Sequence, residues 1–187
     1  MTVTTEQSVE QRLAEVEARL AIGQLPIRYA IAVDSRDLDG WVGTFVQDVD
    51  CGRHGVGREA LKRYIEPQLR GFYRSIHFIC GHLIELVDDD HATGRVYCRA
   101  EHEDGGKWIV MGICYFDTYE RRDGEWFFQR RDEEHWYSSD VLERPHAPDF
   151  QHWPRHEKQK PRLPGILPSW RDFWANDPSV SELTDAP

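Results

Sequence analysis

The sequence predicts an α+β fold in which helices come first and a strongly curved antiparallel sheet follows. Apolar residues recur at three- and four-residue steps up to about residue 72, as in amphipathic helices. Beyond that point the strand-like runs follow one another with no helix between them, which is typical of an antiparallel meander. Two of the intervening turns contain Asp-Gly or Gly-Gly, which tight hairpins favour. The predicted strands are residues 75–87, 92–103, 107–121 and 125–137.

The helical part is predicted to contain several short elements. An amphipathic helix is expected over residues 5–22. Gly23 and Pro26 interrupt its pattern, so a second helix is expected from residue 26 to 36 with the proline in its first turn. The other predicted elements before the sheet are a short helix, a strand-like edge and a longer helix, over residues 38–45, 49–54 and 58–72.

The C-terminal part has a different composition. Seven of the ten prolines lie between Pro145 and Pro178, a density that excludes a regular sheet or a long helix. The same stretch is too rich in Trp, Phe, Leu and Ile for a solvated linker. We therefore predict one α+β domain over residues 1–141, and an extended Pro/Trp-rich arm over residues 142–187 that packs on its own or a neighbouring subunit.

Charge and cysteine usage narrow the classes of partner and compartment. A net charge of −10 over 187 residues argues against nucleic acid and against an anionic membrane as partners. No apolar run approaches the ~20 residues that span a bilayer, and the N-terminus lacks the features of a signal peptide. The four cysteines form no CxxC pair, which favours free thiols over a disulfide frame. These features predict a soluble, cytoplasmic protein.

His77 and Asp34 are the residues most suited to proton transfer. His77 stands near the start of the first predicted strand, and a histidine is the commonest general base at neutral pH. Asp34 follows a wholly apolar helical run, and a carboxylate would fix the tautomer of such a base. A histidine that only donates to a backbone carbonyl, and an aspartate at an exposed helix end, are the alternatives. Strand alternation places His82 on the face opposite His77.

Little in the sequence indicates a metal site or a phosphate-binding site. The nine histidines form no HExxH or Cys/His box, and no Gly-rich phosphate loop is present. The last strand is unusually charged, so one of its faces is either turned inward with partners or part of a surface ladder of ion pairs. Alternation divides its polar residues into two sets, Gln129, Arg131, Glu133 and His135 against Arg130, Asp132 and Glu134.

Three segments together resemble the SnoaL-like branch of the nuclear transport factor 2-like superfamily. They are Tyr29-Ala-Ile-Ala-Val-Asp-Ser-Arg, Ser75-Ile-His-Phe, and Tyr119-Glu-Arg-Arg-Asp-Gly-Glu-Trp followed by Arg130-Arg131. The resemblance covers roughly residues 8–140 and leaves the Pro-rich arm unmatched. It implies a cone-shaped α+β barrel, in which a curved antiparallel sheet wraps around the N-terminal helices.

The resemblance also implies site residues. Asp34 and His77 match a catalytic His–Asp dyad of cofactor-free lyases in this family. Tyr29 matches a tyrosine of its dehydratases, and Arg131 matches an arginine of its dehydrochlorinases. Arg53 stands where a dehydratase has a second tyrosine, and Arg53 and Arg131 are expected to bind the substrate, where one of them with Tyr29 would polarise the leaving oxygen or stabilise a developing anion. The side chains expected to line the substrate cavity are Trp41, Phe72, Met111, Ile113 and Tyr115.

The predicted function is therefore a cofactor-independent lyase that uses a His–Asp dyad. Loss of water from a bulky, apolar, hydroxylated aromatic or alicyclic substrate is the first choice. Halide loss and carbon–carbon cleavage that releases a small aldehyde use the same base. An isomerase or polyketide cyclase, and a non-catalytic ligand-binding or scaffold protein, are the alternatives. A homo-oligomer is expected, with a trimer favoured over a dimer and no cofactor or metal.

Overall fold

The structure, a computed structural model of the chain, describes residues 7–142, 162–163 and 166–175. Its sheet has four antiparallel strands in the order β1-β2-β3-β4, and helices precede it. The predicted α+β class, with helices followed by a four-stranded antiparallel sheet, is confirmed. The helices are α1 (Val9–Ser35), α2 (Leu38–Gly43), α3 (Arg58–Leu69) and α4 (Pro168–Trp174). The strands are β1 (Ser75–Leu86), β2 (His91–Asp104), β3 (Lys107–Arg122) and β4 (Glu125–Asp140).

The first helix, α1, is continuous over 27 residues, so the prediction of two helices divided near Gly23 and Pro26 was wrong. Pro26 removes one internal hydrogen bond of the helix. Its ring is nevertheless almost fully buried, beside Leu25 and Tyr29 on the same face. Burial of this face against the sheet outweighs the low helix propensity of proline.

The inner face of β1 carries both His77 and His82. A β-bulge at Cys80 shifts the register of β1 on β2 and restarts the alternation by one residue. His77 then pairs with Ala100 and His82 with Val96, and both partners are fully buried on the inner face. The prediction that the two histidines lie on opposite faces was wrong because simple alternation does not include the bulge.

The charged strand β4 turns one of its two polar sets inward. Arg131, Glu133 and His135 pair with β3 residues whose side chains form the buried inner face. Gln129 was predicted to share that face, but it falls at a second register shift and is exposed. The set Arg130, Asp132 and Glu134 alternates with the inward residues.

Two shorter predictions also differ from the structure. Residues 49–54 do not form a strand; they contain a 3-10 turn, Gly52–His54, beside a single bridge between Asp50 and Val56. All four cysteines are free thiols, as predicted, and Cys80 is exposed. No helix among the described residues is long and apolar enough to cross a membrane.

The arm is described only in part. Leu163 is buried and donates its N–H to the carbonyl of His135 (3.1 Å), while Arg162 pairs with Glu134 (2.8 Å). Residues 143–161, 164–165 and 176–187 of the predicted arm lie outside the described residues. The division of the chain at residue 141 therefore stays a prediction.

Candidate active site

Asp34 and His77 meet where the last turn of α1 lies against the start of β1. Asp34 Oδ1 lies 2.7 Å from His77 Nδ1. The second carboxylate oxygen, Oδ2, accepts the backbone N–H of His77 at 2.8 Å. The hydroxyl of Ser75 donates to Oδ1, also at 2.8 Å. Three hydrogen bonds therefore fix one carboxylate, and through it the imidazole ring.

The end of α1 explains how the carboxylate reaches β1. Arg36 adopts a left-handed conformation (φ 63°) and ends the helix. Its guanidinium donates to the carbonyl of Val33 at 2.7 Å and to the Ser75 hydroxyl at 2.9 Å. Arg36 thus ties the last turn of α1 to the start of β1. The result is a chain of contacts from Arg36 through Ser75 to Asp34.

The electrostatics of the pair keep the Asp34 carboxyl ionised. Burial raises the pKa of the Asp34 carboxyl, but the hydrogen bonds and charge of His77, with Ser75, outweigh it and hold that pKa below its ordinary value. Asp34 is therefore ionised and accepts a hydrogen bond from the N–H at Nδ1 of His77. In the neutral ring, Nε2 is then the basic nitrogen. The His77 side chain is 8% exposed and that of Asp34 22% exposed.

A second histidine, His102 on β2, lies beside His77. The two rings meet edge to face with centroids 5.6 Å apart, and the Phe72 ring centroid lies 4.5 Å from that of His102. His102 is buried. The sequence analysis missed it, although alternation from Ala100 would have placed it on the inner face.

The predicted lining residues of β3 form a buried apolar wall. Met111, Ile113 and Tyr115 belong to one buried cluster on the inner face of the sheet. Phe72 is half-buried and packs against the same cluster. Met111 pairs with Ala100, which in turn pairs with His77, so this wall continues directly from the base.

Tyr29 and Trp41 lie deeper, in an aromatic cluster. The Tyr29 ring is 5.6 Å from that of Trp41, 6.0 Å from that of Tyr115 and 6.1 Å from that of Phe128. Burial raises the pKa of the Tyr29 phenol well above its ordinary value. Its hydroxyl is therefore protonated at neutral pH and is available as a donor.

Arg131 is enclosed by the same rings. Its guanidinium carbon lies 4.1 to 4.5 Å from the ring centroids of Tyr115, Phe128 and Tyr29. Asp117 on β3 holds it with two contacts, at 2.8 and 2.7 Å, and the side chains are 4% and 0% exposed. Burial works to lower the pKa of Arg131, but Asp117 outweighs it and raises this pKa.

The Arg131–Asp117 pair extends into a buried network. Tyr119 donates its hydroxyl proton to Asp117 at 2.8 Å and lies 2.9 Å from Nε2 of His82. Burial lowers the pKa of His82, so this ring is neutral and donates to Tyr119. Nη1 of Arg131 has no hydrogen-bond partner among the described residues. The sequence analysis missed Asp117, although alternation along β3 from Tyr115 places it on the inner face.

Glu133–His135 and Arg53–His54 are two further polar contacts. Glu133 and His135, both turned inward on β4, approach to 2.6 Å. Arg53 instead lies exposed in the 3-10 turn, where it contacts His54 at 3.2 Å, and the structure does not bring it to the dyad. Among the described residues, no group of three or more His, Cys, Asp or Glu is arranged to hold a metal ion.

Fold and sequence together define the class of protein. Residues 14–132 match the profile of the SnoaL-like domain, within the nuclear transport factor 2-like superfamily. The chain belongs to this family, as its sequence resemblance indicated.

Individual relatives include dehydrochlorinases. The chain is 26% identical over 129 residues to gamma-hexachlorocyclohexane dehydrochlorinase from Sphingobium indicum, a match that covers 64% of this chain and 81% of the relative. A crystal structure of the dehydrochlorinase LinA superimposes with a TM-score of 0.62 at 26% identity, covering 73% of this chain and 98% of the other. A scytalone dehydratase-like protein from Novosphingobium aromaticivorans gives the same TM-score at 23% identity, covering 72% and 94%, which shows the shared fold.

Proposed function

We propose that this protein is a cofactor-independent lyase in which His77 and Asp34 carry out a base-catalysed elimination. The observation that supports this most strongly is the contact of Asp34 with Nδ1 of His77, which leaves Nε2 as the basic nitrogen next to an apolar wall. The relatives that are lyases support the same class of reaction.

The reaction needs one proton removed and one leaving group released. Nε2 of His77 takes a proton from a carbon or a hydroxyl of the substrate, and the electron pair left behind forms the new double bond as the leaving group departs. Asp34 stabilises the imidazolium that results. Proton transfer of this kind contributes about 10²–10⁴ in rate. The Tyr29 hydroxyl, which burial keeps protonated, donates a hydrogen bond to the leaving oxygen or halide. When hydroxide departs, it takes the proton back from the imidazolium of His77, so that water is released and the base is neutral again.

Arg131 acts in this scheme through the aromatic rings around it. Asp117 already neutralises its charge, and the side chain is almost fully buried. Its guanidinium packs against the rings of Tyr29 and Tyr115 and so fixes the position of the phenol that donates. We assign no contact with the substrate to Arg53, because it lies exposed in the 3-10 turn.

The wall next to His77 indicates the class of substrate. Met111, Ile113 and Tyr115, with Phe72 at the edge, offer apolar and aromatic surface and few hydrogen-bonding groups. Such a surface suits a bulky hydroxylated aromatic or alicyclic compound. Water is our first choice of leaving group. Loss of halide from an alicyclic compound is the closest alternative, since a dehydrochlorinase of hexachlorocyclohexane is a relative.

We also propose a cytoplasmic location and a homo-oligomeric state. Cys80 is an exposed free thiol, which persists in a reducing compartment. Apolar side chains such as Ile76, Phe78 and Leu83 are exposed on β1 and would be covered by another subunit. A trimer is the assembly that we favour.

The proposal is tested by incubating the purified protein with a panel of hydroxylated aromatic and alicyclic compounds and gamma-hexachlorocyclohexane, with mass spectrometry as the readout. We expect at least one compound to lose the mass of water or of hydrogen chloride, and the loss to disappear in the His77→Ala variant. A product of unchanged mass would show that the protein is an isomerase and not a lyase. Compounds that bind without any conversion would indicate a ligand-binding protein.

A further inference from the structure

The helix α1 exposes an apolar stripe to solvent between Val9 and Ile27. Its members, each between 41% and 72% exposed, are Val9, Leu13, Val16, Leu20 and Ile27, and we call this set the α1 seam. The spacing is four, three, four and seven residues, which is the heptad spacing of a coiled coil with the small Gly23 at the missing position. Nothing among the described residues covers it.

The rest of the helix faces the chain's own sheet. Ile22, Leu25 and Val33 are buried in the core, and Ala18 packs against it. Glu15 and Ala18 line a cleft with Leu86 and Trp126 at the end of the sheet. The helix α1 therefore has two apolar faces. One packs against the sheet of its own chain, and the other, the α1 seam, is exposed.

Charges beside the seam specify a partner. With Val9 and Val16 at d positions and Leu13 and Leu20 at a positions, Arg12 takes a g position and Glu17 the e position that follows it. In a parallel coiled coil a g residue faces the e residue five positions later on the other helix. Arg12 of one copy would therefore face Glu17 of another, and an antiparallel pair would bring like charges together.

We propose that α1 pairs in parallel with α1 of a second copy of this chain through the seam, a contact separate from the trimer contact proposed at β1. The contact extends from Val9 to Ile27, about 27 Å of helix at 1.5 Å per residue. An isolated helix of this length is marginal in water, but α1 is anchored in the core by its C-terminal half. The helix is thus already formed before the two copies meet, and association buries the apolar stripe.

Sedimentation equilibrium of the full chain tests the apolar part of this contact. We expect Leu20→Glu to weaken self-association by at least tenfold, because a charge would be buried in the seam. The matched control is Ala21→Glu, which adds the same charge to the neighbouring exposed position off the seam and should leave association unchanged. Circular dichroism checks that both variants remain folded.

A charge exchange tests the parallel orientation. Arg12→Glu and Glu17→Arg should each weaken association about tenfold, since each pair occurs twice in a symmetric contact and turns from attraction to repulsion. The double variant Arg12→Glu/Glu17→Arg should restore wild-type association. The proposal is overturned if the wild-type chain is a monomer, if Leu20→Glu associates as wild type does, or if a single charge change strengthens association.

Discussion

Two carboxylates hold partners on the inner face of the same sheet, one a histidine and one an arginine, and the two pairs differ in what they leave available. Asp34 holds His77 through one ring nitrogen, and both side chains keep some exposure. Asp117 holds Arg131 with two contacts, and three aromatic rings close over the guanidinium. The first pair retains a basic nitrogen beside an apolar wall, whereas the second is sealed.

This difference indicates that the Asp34–His77 pair can take part in a reaction, whereas the Asp117–Arg131 pair maintains the fold. A buried charge pair is expensive to break, because the charge left behind has neither water nor a partner. Replacing a residue of the Asp117–Arg131 pair should therefore reduce stability. Replacing a residue of the Asp34–His77 pair, which is closer to solvent, should reduce the rate and affect stability much less.

The largest expected effect is on the rate of the Asp34→Asn variant. The amide keeps the size of the carboxylate, but its NH₂ group cannot accept hydrogen bonds, and it no longer fixes the tautomer of His77 or stabilises the imidazolium. We expect kcat/KM to fall by about 10²–10⁴ on any substrate that the protein converts. Steady-state kinetics measures this. Undiminished turnover would show that the carboxylate has no part in the reaction.

The next effect is on the stability of the Arg131→Met variant. It leaves Asp117 buried without its cation, and we expect the free energy of unfolding to fall by about 3–5 kcal/mol. Urea denaturation measures the change. The double variant Arg131→Met/Asp117→Leu removes both charges and should recover much of the loss. Equal losses in the single and double variants would contradict a sealed ion pair.

Ser75→Ala tests how firmly the first pair is held. It removes the hydroxyl that donates to Asp34, and we expect kcat to fall about tenfold, as for the loss of one hydrogen bond to a charged group. The neighbouring Ser35, which donates only to backbone carbonyls of α1, provides the control Ser35→Ala with unchanged kcat.

The same Ser75→Ala variant should respond differently to acid. The lowered pKa of Asp34 gives a stability contribution that is complete above the ordinary value of 3.8 and is lost as the pH falls through the lower, folded-state value. Without Ser75 the pKa of Asp34 lies higher. The contribution is then smaller and is lost at higher pH, so acid unfolding should begin earlier. Identical acid-unfolding curves for the two proteins would count against this role of Ser75.

The smallest expected effect concerns His82, at the far end of the second network. Burial lowers its pKa from 6.5, so the unfolded chain binds a proton at this residue before the folded chain does. Stability should therefore decline as the pH falls below 6.5. In the His82→Gln variant the free energy of unfolding should decline less steeply with falling pH, and the slope should differ from that of the wild type by at most about 1.4 kcal/mol per pH unit. Urea denaturation at several pH values measures the slopes, and equal slopes would show that His82 does not contribute.

The sequence allowed the fold and the first pair to be predicted, for physical reasons. Period-two alternation and Asp-Gly turns are local signals, so the four strands were visible. The meeting of Asp34 and His77, 43 positions apart, followed only from the family resemblance. That contact is now a geometric observation, and its catalytic role stays a prediction.

Other features depended on packing that local signals do not report. The bulge at Cys80 turns His82 inward, and alternation alone gives the opposite face. The helix α1 continues through Pro26 because the proline ring is buried. The rules that locate helix starts from sequence do not take such burial into account. An inward face of the last strand was expected to need partners, and only the register of β3 on β4 identifies Asp117 as the partner of Arg131.

The most direct test of the account is the single-turnover rate of the His77→Gln variant, with enzyme in excess over a substrate that the wild-type protein converts. This condition isolates the chemical step from product release. The account predicts a rate at least 100-fold below that of the wild type, in a protein whose free energy of unfolding is little changed. A single-turnover rate equal to that of the wild type would contradict it.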